Sequence, residues 1–171
     1  LELLKNPKVA IVGTRHPSTQ GIENAHSFAK ELALSGLTVV SGLAAGIDRC
    51  AHEGALLATN GASTIAVIGT GMDLVYPASN RELYRKIREQ GLVISEFPLG
   101  TPPTNNNFPR RNRIVVGLSR ACLVIESAID GGSMISANFA LEMGREVMAI
   151  PGSIHNPMAR GCHKLIKQGA K

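Results

Sequence analysis

The chain has 171 residues, of which 44% are apolar and 18% charged, and its 18 Lys/Arg against 13 Asp/Glu leave a formal net charge of +5. That balance describes one globular domain with room for a sizeable core, and it excludes a disordered tail. No apolar stretch approaches the length that spans a bilayer, no signal-peptide pattern opens the chain, and the first residue is Leu1 rather than Met, so a fragment of a longer protein is expected.

Short β-branched runs alternate with helix-like segments along the whole chain. In order, the pattern predicts a strand at Val9–Val12, a helix at about 21–35, a strand at Thr38–Val40 and a helix at about 46–59. A strand at Thr64–Ile68, a helix at 79–90, a strand at Leu92–Ser95 and a helix at 110–119 follow. Strands at Cys122–Ile125 and Val147–Ile150 flank a helix at 134–144, and a last helix spans about 160–168. The runs lack two-residue alternation, as strands covered on both faces do. Strand–helix alternation of this kind predicts right-handed crossovers and a single doubly wound α/β domain with a mostly parallel sheet. Cys50, Cys122 and Cys162 lie far apart in apolar contexts and read as buried free thiols of a reducing compartment, not as disulfides or a zinc site.

In such sheets ligands gather at the carboxyl ends of the strands. Here those ends carry Gly13-Thr-Arg15, Ser41-Gly42, Gly69-Thr-Gly71 and Gly131-Gly-Ser133. Turns of any α/β domain use glycine, so most of these need no ligand. Arg15 is different, because a guanidinium placed directly after the first strand faces the ligand crevice, where it would meet a phosphate or a buried acid. The net charge is also concentrated. Between Arg81 and Arg120 stand eight Lys/Arg against three acids, and the rest of the chain is balanced. A focused positive field attracts polyanions. At its centre Phe108-Pro-Arg-Arg-Asn-Arg113 follows a long loop, Phe97 to Phe108, rich in Pro and Asn. An aromatic ring beside arginines suits single-stranded nucleic acid, since bases stack on the ring while guanidinium groups hold phosphates. A solvated basic helix face would show the same charge.

Other chemistries are poorly served. Gly69-Thr-Gly71-Met-Asp-Leu74 starts like a dinucleotide fingerprint but has Leu74 where the third glycine belongs, and there is no Gly-Lys-Ser/Thr phosphate loop. Asp48 and His52 share a helical face, but two ligands do not make a metal site. Glu126 ends the fifth strand as a candidate buried acid or a partner for Arg15 or Arg113. No nucleophile has a partner that spacing can place, so no catalytic residue, cofactor or metal is expected.

Taken together, Lys8-Val-Ala-Ile-Val-Gly-Thr-Arg15, Ser41-Gly-Leu-Ala-Ala-Gly-Ile-Asp48, Thr64 to Gly71, Tyr76-Pro77, Ser95-Glu96, Phe108 to Ile114, Gly132-Ser133, Gly144-Arg145, Ile150-Pro-Gly152 and Gly161-Cys-His163 form an ordered set. This set resembles the central domain of the bacterial DNA-processing protein A (DprA, or Smf) family over nearly the whole chain. The resemblance implies an extended Rossmann-like domain over residues 1–171 that binds single-stranded DNA and is not catalytic. It also implies a cytoplasmic homodimer without membrane attachment, acting in natural transformation by protecting incoming strands and helping to load the RecA recombinase. The family's N-terminal helical and C-terminal winged-helix-like flanks would lie outside this chain. By motif, Arg15, Ser41, Gly42, Phe108, Arg111 and Arg113 would line the strand-binding pocket, with Arg110 adding charge. Many members have a lysine after the Tyr-Pro pair where this chain has Ala78, and Arg81 would replace that charge. Leu141, His163 and Ile166 would belong to the dimer surface, although packing onto their own sheet would also suit Leu141 and Ile166. The main alternative is a Rossmann-like nucleoside-monophosphate phosphoribohydrolase, whose Pro-Gly-Gly-x-Gly-Thr-x-x-Glu segment is matched only by Asp130-Gly-Gly-Ser-Met-Ile-Ser136. A pure RecA scaffold would leave Phe108 and the arginines without a role.

Overall fold

The computed structural model describes residues 1–58 and 63–171. Its elements follow the predicted alternation: β1 (Lys8–Val12), α1 (Thr19–Leu34), β2 (Thr38–Ser41), α2 (Ile47–Ala55), β3 (Thr64–Val67) and α3 (Arg81–Gln90). Then come β4 (Leu92–Ile94), α4 (Asn107–Gly117), β5 (Ala121–Val124), α5 (Gly132–Glu142), β6 (Glu146–Ala149) and α6 (Arg160–Lys167). The last position of the expected 46–59 helix falls outside the described residues. The strands form one sheet in the order β4-β3-β2-β1-β5-β6, and every pairing is parallel. This is a doubly wound α/β domain of Rossmann-like class, as the alternation requires.

Successive residues of a strand face opposite sides, and β1 divides its apolar side chains accordingly. Ala10 and Val12 join Val115 and Val116 of α4, Met134, Ala137 and Ala140 of α5, and Leu165 of α6. Val9 and Ile11 join Ala25, Ala29 and Ala33 of α1 and Ile47, Ala51 and Ala55 of α2. A third cluster packs Leu83, Tyr84 and Ile87 of α3 on Ala66 and Val93, beside Leu43. The sheet is thus sandwiched between α1–α3 and α4–α6, which explains why its strands read as unbroken apolar runs.

Two helices begin earlier than periodicity suggests. Ser18 caps α1 by accepting from the Gly21 amide at 3.1 Å. The start of α4 lies at Asn107, so Phe108 sits in a first helical turn and not at the end of a loop. Pro109 does not prevent this, because the first helical turn does not use its N–H groups. Asn107 anchors the turn by donating to the Gly69 carbonyl at 3.2 Å. At the sheet edge, the Lys171 amide donates to the Val147 carbonyl and its carbonyl accepts from Ala149, both along β6.

The α1–α2 contact is built from small residues. Ala25, Ala29 and Ala33 are fully buried, and a Cβ added at Gly54 would overlap the His26 carbonyl of α1. Backbone has no rotamer to yield. Gly54→Ala is therefore expected to cost about 1–3 kcal/mol through overpacking, measured as a lower denaturant midpoint at unchanged m-value; an unchanged midpoint would mean that α1 can simply slide away.

Candidate nucleic-acid interface

The strand order reverses between β1 and β5, and the open crevice of a doubly wound sheet lies beyond that switch point. A cleft of about 470 Å³ occupies it, walled by Gly13, Thr14 and Arg15 after β1, by Ser127 and Ala128 after β5, and by Phe108 and Asn112 of α4. A smaller cleft of about 140 Å³ adjoins it over β2 and β3, reaching Gly69, Tyr76 and Pro77. Arg15, His16, Ala44, Phe108 and Arg111 border both.

At that shared border three groups stack. The Phe108 and Tyr76 rings lie with centroids 5.5 Å apart and planes inclined by 25°. The Arg15 guanidinium sits over Phe108, 5.4 Å from its centroid. Arg15 forms no ion pair with any described residue, so its charge faces the cleft. From the far side the first turn of α5 presents Gly131, Gly132 and Ser133. A helix N-terminus carries partial positive charge and unused amides, so this wall also favours an anion.

Beneath the stack lies a buried polar floor. Arg111 is only 4% exposed, and its guanidinium donates to the carbonyls of Gly42 at the end of β2 and Val67 at the end of β3. Its Nε donates to Asn112 Oδ1 at 3.0 Å. Asp48, at the start of α2, accepts from the amides of Gly42 at 3.1 Å and Ala44 at 3.3 Å. Burial pushes the Asp48 carboxyl above its ordinary pKa, while the Arg111 charge and those amides pull it back. Gly42 must be glycine here, since a Cβ would meet the Arg111 guanidinium at 2.6 Å. The β2–α2 loop is further held by Asn80, which donates to the Leu43 carbonyl at 2.9 Å while Leu43 adopts a left-handed φ of 59°.

The residues expected to bind a strand therefore separate into groups. Arg15 and Phe108 meet at the cleft, and Gly42 lines it. Arg111 reaches the same place from below, as a buried tie between strand ends rather than an exposed phosphate clamp. Ser41 points into the sheet, its hydroxyl donating to the Ile11 carbonyl at 2.6 Å. Arg110 and Arg113 project from the opposite side of α4: Arg110 over the Phe97 ring at 5.7 Å, Arg113 in an ion pair with Glu96. Arg81 is exposed at the start of α3 and borders neither cleft. Tyr76 and His16 were not foreseen as site residues, although the Tyr76-Pro77 pair stood among the recognised motifs. Among the described residues Glu126 pairs with no arginine; it accepts from Ser18 and from Asn156, fastening the end of β5 to the cap of α1. Leu141 and Ile166 are 55% and 37% exposed, and His163 Nε2 lies 3.0 Å from the Gly152 carbonyl. Cys50, Cys122 and Cys162 are free and buried.

Asp48 and His52 do not act as a pair. His52 is fully buried with Nδ1 2.7 Å from the Thr64 hydroxyl, which itself donates to the Val39 carbonyl. Nδ1 must then carry the proton and donate, leaving Nε2 without a partner among the described residues.

The fold and this crevice define a class: a Rossmann-like domain whose switch point is equipped with an aromatic–guanidinium stack. The family model for the DNA recombination-mediator protein A matches residues 1–171. The chain is 48% identical to the DNA processing protein DprA of Streptococcus pneumoniae over 171 residues, which is 60% of that protein, and 48% identical to Protein Smf of Escherichia coli, covering 45% of it. The solved structure of the S. pneumoniae protein superposes with a TM-score of 0.91 over 99% of this chain and 59% of that one. The Helicobacter pylori DNA processing protein A, studied for its single-stranded DNA binding mode, superposes at 0.88 with 32% identity, over 99% of this chain and 77% of that one. The chain belongs to the DNA recombination-mediator protein A (DprA/Smf) family, and it spans about half the length of the curated relatives it matches.

Two outcomes test the floor of the site. Arg111→Ala leaves two strand-end carbonyls and Asp48 uncompensated in the interior, and it is expected to cost about 3–5 kcal/mol of stability; chemical denaturation that shows no loss would return Arg111 to the surface. Burial, with the Arg111 charge adding, depresses the His52 pKa from 6.5 to about 3. A depressed folded-state pKa means that the unfolded chain takes up the proton first. The His52 contribution is thus complete above pH 6.5 and drains away as the pH falls toward 3, by up to about 1.4 kcal/mol per unit. His52→Gln should flatten that part of the stability profile, and an unchanged acid limb would place the loss in other groups.

Proposed function

We propose that this domain binds single-stranded DNA without sequence preference at the switch-point crevice. The observation that carries this reading is the stack of Tyr76, Phe108 and the Arg15 guanidinium on the border of the two clefts. Two rings offer a base a π surface of any sequence, and the cation beside them holds the phosphate next to it. The related H. pylori protein's single-stranded DNA binding supports it. Duplex DNA keeps its bases stacked away from the rings and binds less well.

The site acts by binding and not by turnover. The acids nearest the crevice are committed: Asp48 to the Gly42 and Ala44 amides, Glu126 to Ser18 and Asn156. Family membership supports the wider reading, in which the whole protein protects incoming strands during natural transformation and aids loading of RecA in the cytoplasm. The exposed Leu141 and Ile166, with His163 nearby on α6, supply the surface for a homodimer. Two crevices on one strand then raise avidity without new contacts.

Anisotropy of a labelled oligo-dT strand, titrated with the protein at several salt concentrations, tests the core of this reading. Arg15 is the cation that faces the crevice, so binding confined to it gives an expected log–log salt slope near −0.7, at about −0.7 per neutralised phosphate. Phe108→Ala should weaken binding by about 1–3 kcal/mol with the fold intact. Equal affinity for duplex and single strand, or wild-type affinity in Phe108→Ala, would remove the crevice from the interface. Release of ribose phosphate from a nucleoside monophosphate would replace the binding reading with a hydrolytic one.

A further inference from the structure

The basic segment holds a second aromatic–guanidinium pair that the crevice does not use. In α4, with 3.6 residues per turn, Arg110 and Arg113 fall on the side away from Phe108 and Asn112. There the Arg110 guanidinium covers the ring of Phe97 at 5.7 Å from its centroid. Phe97 is half-buried, and its amide donates to Ser95 Oγ at 3.0 Å, while that hydroxyl donates to the Thr70 carbonyl at 2.7 Å. The ring therefore stands on a fixed support at the end of β4. Beside it the Arg113 guanidinium is held by the carboxylate of Glu96, with the two side chains 47% and 22% exposed. Glu82 and Glu89, the other acids of the segment, are both engaged by Arg85 on α3. Glu96 is thus the acid that offsets the charge of α4.

Resting on the reading that a single strand occupies the crevice, we propose that the strand continues past it over the outer side of α4, where Phe97 and Arg110 form a second base platform and Arg113 exchanges the Glu96 carboxylate for a phosphate. Bases stack on guanidinium planes as well as on rings, so the Phe97–Arg110 pair offers a stacking surface whichever member lies uppermost. A carboxylate and a phosphate present equivalent oxygen pairs to the same guanidinium fork. A half-exposed ion pair is weakly held in water, so its exchange opposes binding only slightly. Glu96 in this arrangement occupies the place of a phosphate until the strand arrives. It keeps Arg113 ordered, and it lowers the attraction of this side for small anions. Binding then engages both sides of one helix, and the strand bends around the first turn of α4.

The test is anisotropy with a labelled oligo-dT of about 20 nucleotides, long enough to cover both platforms. It uses Phe97→Leu, Glu96→Gln, the Glu96→Gln/Arg113→Ala double variant and Phe108→Ala, with thermal melts to confirm equal folding. Phe97→Leu keeps the apolar support and removes the ring; it is expected to weaken binding about five-fold. Glu96→Gln removes the competing carboxylate and is expected to tighten binding about two- to five-fold, a gain that disappears in the double variant. Wild-type affinity in both Phe97→Leu and Glu96→Gln, with Phe108→Ala still weakened, would overturn this inference and confine the strand to the crevice. Wild-type affinity in Phe108→Ala would instead bring down the crevice reading on which it rests.

Discussion

One buried guanidinium organises this domain's functional end. Arg111 enters from α4 on one side of the sheet and reaches the carbonyls that end β2 and β3. On the other side of that contact, Asp48 receives the same loop's amides at the start of α2. A buried charge is tolerated only when its surroundings compensate it, so the two strand ends, the β2–α2 loop and α4 must all be in place together. Because α4 is fixed by this tie, so is Phe108 one turn earlier, and with it the stack on Tyr76 and Arg15. The arginine that looked like a phosphate ligand is the reason the ligand-facing groups have defined positions.

The crevice combines three sources of attraction that differ in range. The full charge of Arg15 acts over about 10 Å at moderate salt. The α5 N-terminus acts within its first turn. Ring stacking acts only on contact. On the proposed reading a polyanion is gathered by the first, positioned by the second and retained by the third, and rising salt screens the first two while leaving the stacking. The floor takes no part in this succession, since its charges are already satisfied internally.

The fold was legible in the sequence because each strand is covered on both faces, which turns every one of them into an apolar run between helical segments. Element ends were less so. The start of α4 was missed because Pro109 reads as a helix boundary, although a first helical turn accepts it, and because the anchoring of Asn107 to the Gly69 carbonyl is a long-range contact. Among the site residues, Arg15 and Phe108 could be placed from the ordered motifs and the switch-point rule. Arg111 and Arg113 could not be told apart, since they differ only in which side of a helix they occupy and in partners supplied by β2, β3 and the β4–α4 loop. Ser41 carries a motif position whose hydroxyl serves the neighbouring strand. Tyr76 became a site residue only when the chain after β3 folded back over Phe108, a contact between residues far apart in sequence.

A parallel sheet ordinarily ends in a row of unanswered amides and carbonyls that could recruit a strand from another molecule. On the β6 side this domain answers part of that row itself, with the backbone of Lys171 taking the Val147 carbonyl and the Ala149 amide, and the Lys171 side chain meeting Glu146 at 3.3 Å. A strand from another molecule that paired with this stretch of β6 would have to displace those two backbone bonds.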